Sequence, residues 1–348
     1  MSLSRNALAS LLSSSEPLII HHWDADGVVS AVTAASFAQG RADFLVPPLT
    51  YSPQIDFVRT IARSEKDLIL VLDYNATEEF FAALASASGR PVVVVDHHLA
   101  RYPRVPNLYY YNPAAEGDPE GLWPSTAHVI ADAIGFYDPL LIALSIYGDL
   151  QDLSPKNRVF RYYMEQIGLD PDADSDIPRE CAMQIWGAEA AGDVELLSAI
   201  AAELTYGGVD PCQALMSDPR LTNYRIRAEE EVERAVREAL STGRVIGDIG
   251  VYNVSLKMRV SGMVTRRLLA ASGLPVVVVL TTEAQGKNKI YVRGEISDPR
   301  KVVEALRSLG LRASGKSQKD NNVIVVEPGR YEPSVAVGKV VEVVSAAK

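Results

Sequence analysis

Short apolar runs alternate with segments of helical periodicity along the first part of the chain. The apolar runs are rich in β-branched residues and too short for typical helices, and they predict strands at 18–22, 43–46, 67–73, 91–96 and 108–111. The segments between them predict helices at 28–39, 54–64 and 77–87. This alternation is typical of a parallel sheet that is covered by helices on both faces and joined by right-handed crossovers. We therefore expect an N-terminal α/β domain.

Helical patterning dominates the middle of the chain. Ser125 is a good N-cap for a helix at 127–134, and residues 155–221 mix polar and apolar positions as helices do. Residues 225–240 are highly charged with a thin apolar stripe, which predicts a helix that connects two domains and ends at 241–243. The first domain is therefore expected to end before this helix.

Strand and helix patterns after the connector indicate a second, smaller α/β domain. Apolar runs predict strands at 251–259, 275–281, 289–294 and 323–327, and periodic segments predict helices at 264–272 and 300–309. This order favours a mixed sheet. The expected boundaries are 1–224 for the first domain, whose sheet core ends near 153, 225–243 for the linker helix and 244–348 for the second domain.

Composition limits the partners of the chain. Its 348 residues are enough for two domains with separate cores. The net charge of -10 argues against a broad basic surface for duplex nucleic acid, but it is compatible with a local basic groove or a short substrate. The two cysteines, Cys181 and Cys212, are too few for a disulfide scaffold or a thiolate-rich zinc site. A bond between them is one alternative, and buried free thiols are the favoured one.

No segment has the features of a secretory signal or a membrane span. Residues 1–12 carry a single basic residue and predict a surface helix. The apolar run at 275–280 is long enough for a strand and far too short to cross a bilayer. We therefore expect a cytoplasmic protein without a membrane partner.

The first predicted strand leads directly into the sequence His-x-Asp-x-Asp-Gly. Residues two apart in a strand point to the same side, so His22, Asp24 and Asp26 can converge. His21 points the other way and is expected to pack, and Gly27 permits a tight turn into the next helix. Two carboxylates beside an imidazole repel each other unless a cation lies between them. The pattern indicates a metal site, with a strand end bearing solvated carboxylates as the alternative.

A second cluster favours the metal interpretation. The sequence Asp96-His97-His98 follows one predicted strand, and Asp73 follows another. Because parallel strands present their carboxyl ends at the same edge of a sheet, these groups should lie near the first cluster. Four of the five histidines belong to these two clusters, whereas a solvated surface would scatter them. The sequence therefore predicts a metal site at this edge.

A further carboxylate, Asp149, follows the apolar segment 139–148, with Asp152 as the alternative. The ordered set His-x-Asp-x-Asp-Gly, Asp after a strand, Asp-His-His and Gly-Asp resembles the DHH phosphoesterase superfamily over roughly the first half of the chain. This superfamily includes RecJ-type exonucleases, small-oligonucleotide phosphodiesterases and manganese-dependent inorganic pyrophosphatases. The resemblance implies a phosphoesterase that uses two metal ions.

The resemblance also implies a role for each matching residue. By this resemblance, one metal ion would be bound by His22 and Asp24, and the second ion by Asp26, His97 and Asp149. Asp73 would bridge the two ions. Mixed carboxylate and imidazole ligands suit Mn²⁺, with Mg²⁺ as the alternative. Asp96 would orient a ligand without binding an ion, and His98 would face the substrate. There it would hydrogen-bond the phosphoryl oxygen or protonate the leaving oxygen.

The last third of the chain resembles the substrate-binding domain called DHHA1. The resemblance rests on Arg266-Arg267-Leu268, on Gly273-Leu274-Pro275 before an apolar strand, and on Arg293 at the end of the next strand. The usual glycine-rich turn with a histidine is absent, and residues 313–322 stand in its place. The candidate substrate-binding residues are Arg266, Arg267, Arg293, Ser314, Gly315, Lys316 and Lys319. The alternative for the residues from Ser314 to Lys319 is a solvated hairpin loop.

These observations favour a metal-dependent phosphoesterase that hydrolyses single-stranded nucleic acid, short oligonucleotides or nucleotides by two-metal activation of water. A cleft between two domains would suit such thin, flexible substrates, with phosphate chemistry in one domain and a grip on the neighbouring nucleotide in the other. One alternative is a replication or repair scaffold with a protein partner, and another is an inorganic pyrophosphatase. The oligomeric state and the choice between DNA and RNA are left open.

Overall fold

The computed structural model describes residues 1–38, 42–51, 53, 55–98, 102–115, 117–118, 120–283, 286–316 and 322–347. The described chain divides into two compact units, Met1–Arg225 and Ile226–Lys348. Among its helices, none is both long and apolar enough to cross a membrane.

The first unit contains a five-stranded sheet. Its strands are β1 (Pro17–His21), β2 (Asp43–Leu45), β3 (Leu68–Leu72), β4 (Val92–Val95) and β5 (Leu108–Tyr111). Their order in the sheet is β2-β1-β3-β4-β5, and every neighbouring pair is parallel. Each residue of β1, β3 and β4 is buried, as expected for apolar runs that are covered on both faces. The prediction of a parallel α/β sheet is therefore confirmed.

The helices of the first unit lie between and after these strands. They are α1 (Arg5–Ser14), α2 (Ala25–Phe37), α3 (Ile55–Ala62), α4 (Glu78–Ser88), α5 (Thr126–Ile134), α6 (Pro139–Leu150), α7 (Arg158–Gln166), α8 (Asp176–Ala191), α9 (Val194–Tyr206) and α10 (Pro211–Ser217). A short 3₁₀ helix, Gln151–Lys156, follows α6. Helix α11 (Pro219–Thr242) begins in the first unit and ends in the second. It starts earlier than its charge pattern predicts, because proline is well accommodated in the first turn of a helix.

Backbone hydrogen bonds align three strand ends at one edge of the sheet. The amide of His22, directly after β1, donates to the carbonyl of Leu72 at 3.1 Å. The amide of Asp73, directly after β3, donates to Val95 at 3.0 Å, and that of Asp96 continues the ladder after β4. Strand order and register therefore place the side chains of these three residues side by side, as predicted for the carboxyl ends of parallel strands.

Two glycines allow helix α2 to approach its neighbours closely. Gly27 lies in the first turn of α2, which begins at Ala25 rather than after Gly27 as predicted. A Cβ at Gly27 would collide with the backbone carbonyl of His22, so this glycine is needed for close packing of α2 on β1 and not for a turn. A Cβ at Gly148 of α6 would lie 2.8 Å from the Cβ of Ala25.

The second unit contains a six-stranded mixed sheet. Its strands are β6 (Arg244–Ile246), β7 (Ile249–Ser255), β8 (Val276–Thr282), β9 (Asn288–Gly294), β10 (Arg312–Lys316) and β11 (Asn322–Glu327), and its further helices are α12 (Ser261–Ser272), α13 (Pro299–Ser308) and α14 (Pro333–Ala346). The order is β10-β11-β9-β8-β7-β6, in which the pair β7 and β8 is parallel and the others are antiparallel. The predicted mixed sheet is confirmed.

Three elements of this unit were not predicted. Strand β6 is exposed throughout, and β10 is largely polar, so neither shows a strong apolar pattern. Gly315 lies within β10, where a Cβ would meet the carbonyl oxygen of Val323 at 2.6 Å. Helix α14 buries valines at helical spacing, which a β-branched composition disguises.

The expectation of free thiols is wrong. Cys181 of α8 and Cys212 of α10 form a disulfide. The packing of α10 against α8 brings their Cα atoms to 5.5 Å, within the normal range for a disulfide. Scarcity of cysteines therefore excluded a scaffold of several disulfides but did not exclude a single one.

Substitution of Gly27 tests the close approach of α2 to β1. Gly27→Ala is expected to destabilise the first unit by about 1–3 kcal/mol, because the added methyl group forces backbone atoms apart. All three tryptophans lie in the first unit, so urea unfolding followed by tryptophan fluorescence reports on it. Ser10→Ala in α1, an exposed position of the same unit, is the control and should not lower the midpoint. An unchanged midpoint in Gly27→Ala would contradict this packing argument.

Candidate metal centre

Acidic and imidazole side chains from the three strand ends and from α2 and α6 form one cluster. Three overlapping groups bring their ligand atoms within 4.8 Å of one another, and they are His22 with Asp24 and Asp73, Asp26 with His97 and Asp149, and Asp73 with His97 and His98. Mutual distances of this size suit ligands that share a metal ion. The structure therefore brings together all six residues predicted as metal ligands.

Asp73 lies between the other ligands. Its Oδ2 is 3.7 Å from Nδ1 of His22, and its Oδ1 is 3.6 Å from Nε2 of His97. The two oxygens of one carboxylate thus face the two sides of the cluster. The backbone of Asp73 has a φ of 56°, in the left-handed region that non-glycine residues seldom adopt. This conformation turns the chain sharply out of β3.

His22 and Asp24 form the first side of the cluster. Asp24 is the N-cap of α2, because its Oδ1 accepts from the amide of Gly27 at 2.9 Å. Its Oδ2 lies 2.8 Å from Nδ1 of His22. The Nε2 of His22 lies 3.0 Å from the hydroxyl of Tyr51, whose ring stacks on the imidazole. The partner at Nε2 fixes which nitrogen of His22 faces the carboxylates.

Asp26 is held by the amino end of a second helix. The amide of Thr126 donates to Oδ2 of Asp26 at 2.7 Å, and the amide of Ala127 donates to Oδ1 at 3.0 Å. These amides belong to the first turn of α5, where backbone donors have no partners within the helix. Ser125 is the N-cap of this helix, as predicted. The helix start therefore binds an internal carboxylate.

His97 and Asp149 complete the second side. The Nδ1 of His97 lies 3.1 Å from the carbonyl oxygen of Trp123, to which it donates, so Nε2 faces the cluster. This Nε2 is 3.0 Å from Oδ2 of Asp149 and 3.8 Å from Oδ2 of Asp26. The alternative carboxylate, Asp152, is exposed and accepts from Tyr147 at 3.3 Å. The geometry thus favours Asp149.

Asp96 contacts His98 and belongs to none of the three groups. Its Oδ1 lies 2.7 Å from Nδ1 of His98 and accepts from the backbone amides of His97 and His98. Its Oδ2 accepts from the hydroxyl of Tyr102 at 3.1 Å. Asn112 donates to the carbonyl of His98 at 2.8 Å. The imidazole of His98 is therefore oriented by a carboxylate that two backbone amides and a phenol hold in place.

Crowding of buried carboxylates governs the electrostatics of the cluster. Burial, and then the neighbouring carboxylates Asp26 and Asp24, hold the pKa of Asp73 well above its usual range. Burial, reinforced by Asp149, raises the pKa of Asp26 to about 7. Although burial opposes ionisation of Asp96, contact with His98 lowers its pKa. A divalent cation relieves the repulsion in such a site, so the donor set fits metal ions.

Two histidines lie outside the cluster. His21 is fully buried, with Nδ1 2.8 Å from the carbonyl oxygen of His22 and its ring edge against Phe44, which fits a packing role. His128 of α5 bonds the hydroxyl of Tyr163 at 2.8 Å through Nδ1. Burial lowers the pKa of each of these histidines to about 4.

The second unit brings some of the predicted substrate-binding residues together. Arg293 of β9 is buried, and burial together with the charge of Arg266 of α12 lowers its pKa to about 9. Arg267 is exposed on the same helix, and Ser314 and Gly315 are exposed on β10. The backbone of Lys316 ends β10. Lys319 lies outside the described residues.

Sequence reasoning missed the residues that orient the ligands. Tyr51, Tyr102, Trp123 and Thr126 each contact a predicted ligand or Asp96, and Thr126 contacts two ligands. Three of them lie in loops, and no spacing rule connects a loop to a distant strand end. The Ser125-Thr126 pair at the start of α5 gave a partial indication, because it marks a helix start, whose backbone amides can bind a carboxylate.

Comparison with known proteins supports the recognition of this site. A model of the DHH family, N-terminal domain, matches residues 17–151. No curated protein sequence matches the chain significantly.

Solved structures resemble the chain as a whole. RecJ from Thermus thermophilus in complex with Mn²⁺ has a TM-score of 0.67 and 18% identity, over 99% of this chain and 54% of that chain. The same protein with Mg²⁺ has a TM-score of 0.59 and 18% identity, over 99% and 52%. The pGpG-specific phosphodiesterase PggH from Vibrio cholerae has a TM-score of 0.53 and 13% identity, over 95% and 99%.

This chain spans about half the length of those RecJ chains. At these identities, the structural matches establish a common fold. Residues 17–151 therefore belong to the DHH family as its N-terminal domain, and the chain has a RecJ-like fold.

Proposed function

We propose that this protein is a metal-dependent phosphoesterase that cleaves phosphodiester or phosphate bonds of short single-stranded nucleic acids or nucleotides. The observation that carries the proposal is Asp73, whose two carboxylate oxygens face His22 on one side and His97 on the other. A carboxylate in this position can bridge two cations. The DHH-family match and the RecJ-like fold support the same reaction class.

The ligand set supports two divalent ions, with Mn²⁺ preferred. One ion would be bound by His22 and Asp24, and the other ion by Asp26, His97 and Asp149. Asp73 would bind both ions. Bound ions of this kind supply a hydroxide nucleophile at neutral pH and offset the charge that grows on the phosphoryl oxygens. Matches to RecJ in complex with either Mn²⁺ or Mg²⁺ are consistent with this choice.

His98 and Asp96 are proposed as the pair that handles the proton of the leaving group. The carboxylate of Asp96 accepts from Nδ1 of His98, which directs Nε2 of the imidazole away from Asp96. The negative charge of Asp96 stabilises a proton on His98 until it is transferred to the leaving oxygen. Tyr102 holds the second oxygen of Asp96 and thereby fixes the plane of the pair.

The second unit is proposed as a DHHA1-like substrate-binding domain, with the boundaries 1–224, 225–243 and 244–348 for catalytic domain, linker helix and second domain. The guanidinium groups of Arg266 and Arg293 are close enough for the charge of Arg266 to help burial lower the pKa of Arg293. Two neighbouring positive charges suit a phosphate or a terminal nucleotide. The overall acidic charge favours short substrates over long duplexes. PggH, a pGpG-specific phosphodiesterase with a related fold, supports this size class.

A panel of substrates tests the proposed activity. With Mn²⁺, the wild type is expected to release nucleotide from a 5′-labelled single strand or a 5′-phosphorylated dinucleotide, and not to hydrolyse pyrophosphate. Asp73→Asn should lower kcat at least 1,000-fold, since it removes a bridging charge. Asp152→Asn, which changes an exposed carboxylate outside the cluster, is the matched control and should retain activity.

Hydrolysis of pyrophosphate alone would identify an inorganic pyrophosphatase. Absence of hydrolysis by the wild type on the whole panel would favour a scaffold that binds a replication or repair partner. Full activity of Asp73→Asn would refute the bridging role.

Metal-free stability tests the carboxylate crowding. The pKa of Asp26 is about 7 in the folded chain and about 4 in an unfolded one, so the folded state holds a proton that the unfolded state releases between these values. Its contribution to stability is therefore lost as the pH rises through this window. Between pH 5 and 8 in chelator, Asp26→Asn should gain on the order of 2 kcal/mol relative to wild type, as measured by urea unfolding.

Comparison with wild type cancels the opposing titration of His21 and His128, which both proteins share. Asp56→Asn, a change at an exposed carboxylate, is the control and should leave the pH dependence unaltered. Addition of Mn²⁺ at pH 8 should reverse the order, because only wild type keeps the full ligand set. A difference between the two proteins that does not vary with pH would contradict the argument.

Arg266 tests the proposed grip of the second unit. Arg266→Ala should raise KM for a 5′-phosphorylated dinucleotide roughly ten-fold and leave kcat nearly unchanged, because it removes binding that is equal in ground and transition states. Arg300→Ala on α13, which removes one exposed cation from the same unit, is the control. Equal KM values for wild type and Arg266→Ala would exclude Arg266 from substrate binding.

A further inference from the structure

Thr126 is the first residue of α5 and contacts two ligand carboxylates at once. It is fully buried. Its backbone amide donates to Oδ2 of Asp26 at 2.7 Å, and its Oγ1 hydroxyl donates to Oδ1 of Asp73 at 2.9 Å. Asp26 and Asp73 belong to different groups of the cluster. One residue therefore connects the carboxylate of the second side to the carboxylate that lies between both sides.

The two contacts differ in what they require of the side chain. Any residue except proline supplies the amide that binds Asp26. The contact with Asp73 needs a hydroxyl, because an ionised carboxylate only accepts hydrogen bonds. The Thr126 hydroxyl contacts the same Oδ1 of Asp73 that faces His97. This hydrogen bond therefore restricts rotation of the Asp73 carboxylate about its Cβ–Cγ bond. The two branches on the Cβ of threonine also restrict χ1, which holds the hydroxyl in place.

Among the described residues, the other side chains beside the Asp73 carboxylate lie farther from it than the Thr126 hydroxyl does. The neighbours of Asp73 in the cluster are His22, His97 and His98, at 3.6 to 3.7 Å, beyond ordinary hydrogen-bond distance. Its backbone stands in the left-handed region, which fixes the Cα but leaves the carboxylate plane to be set by side-chain contacts. The hydroxyl of Thr126, by contrast, lies at 2.9 Å, a normal hydrogen-bond distance from this carboxylate.

We propose that Thr126 is a positioning residue that sets the plane of the Asp73 carboxylate, so that one oxygen serves each of two metal ions. The inference rests on the proposed two-metal function. Loss of the hydroxyl would leave both ligands in place but allow Asp73 to rotate, so that it serves one ion well and the other poorly. The expected result is selective weakening of one of two binding events.

The test uses the full chain and Mn²⁺ alone, without substrate. Titration followed by electron paramagnetic resonance counts bound ions and measures each affinity. Thr126→Val, which keeps the shape and removes the hydroxyl, should weaken one Mn²⁺ site roughly 10- to 100-fold and the other much less. Thr126→Ser, which keeps the hydroxyl, should restore both affinities to within a few-fold of wild type.

Thr33→Val is the matched control. Thr33 is buried in α2, and its hydroxyl donates to the carbonyl of Val29 at 2.9 Å, away from the cluster. This variant should bind both ions as wild type does. Circular dichroism of the metal-free proteins verifies folding; if Thr126→Val does not fold, the comparison of Thr126→Ser with Thr126→Ala decides the outcome by the same affinities.

Steady-state kinetics provide a second readout. Thr126→Val should lower kcat at limiting Mn²⁺ and recover partly at high Mn²⁺, with KM for the substrate little changed. The inference would be overturned if Thr126→Val bound both Mn²⁺ ions as tightly as wild type does. It would also be overturned if the variant bound both ions more weakly by the same factor. If the wild type binds two Mn²⁺ ions but hydrolyses no substrate, the proposed function fails while the effect of Thr126 on the ions is still measured.

Discussion

Mutual repulsion among buried carboxylates is the constraint on which this structure depends. Asp26 and Asp73 are almost wholly buried, and their environment favours the protonated form. A folded chain accepts such a cluster when each carboxylate is hydrogen-bonded and a cation shares the charge. The start of α5 supplies amides to Asp26, and a hydroxyl serves Asp73. Stability and the proposed cation binding are thus coupled through the same atoms.

The fold explains why these groups meet. Parallel strands that are buried on both faces leave only their carboxyl ends for polar chemistry, and β1, β3 and β4 are adjacent in the sheet. Close packing of α2, permitted by Gly27, brings Asp24 and Asp26 back over the end of β1. Asp149 arrives from α6, whose Gly148 packs directly on α2. Apolar packing therefore determines the positions of the polar ligands.

Much of this arrangement was predictable from the sequence, for a physical reason. Strands of a parallel sheet are short, apolar and ended by polar residues, so their limits and the shared edge can be read from periodicity alone. The positions of His22, Asp73 and His97 at strand ends follow from that rule. Asp24 and Asp26 were expected to continue the alternation of β1, but they lie at the start of α2 and reach the cluster through the packing of that helix. The hydroxyl of Tyr51 and the carbonyl of Trp123 do not, because they depend on how loops return to the sheet. The same limit explains the disulfide between Cys181 and Cys212, which depends on helix packing.

The left-handed backbone at Asp73 has an evolutionary consequence. Aspartate and asparagine adopt this conformation more readily than bulky residues do, so replacement by asparagine suits the main chain while it removes a negative charge. A chain of this kind can lose the proposed bridging charge in one step and keep its architecture. The position that is proposed to bridge two cations is thus also one at which a descendant could become a pure binding protein without refolding.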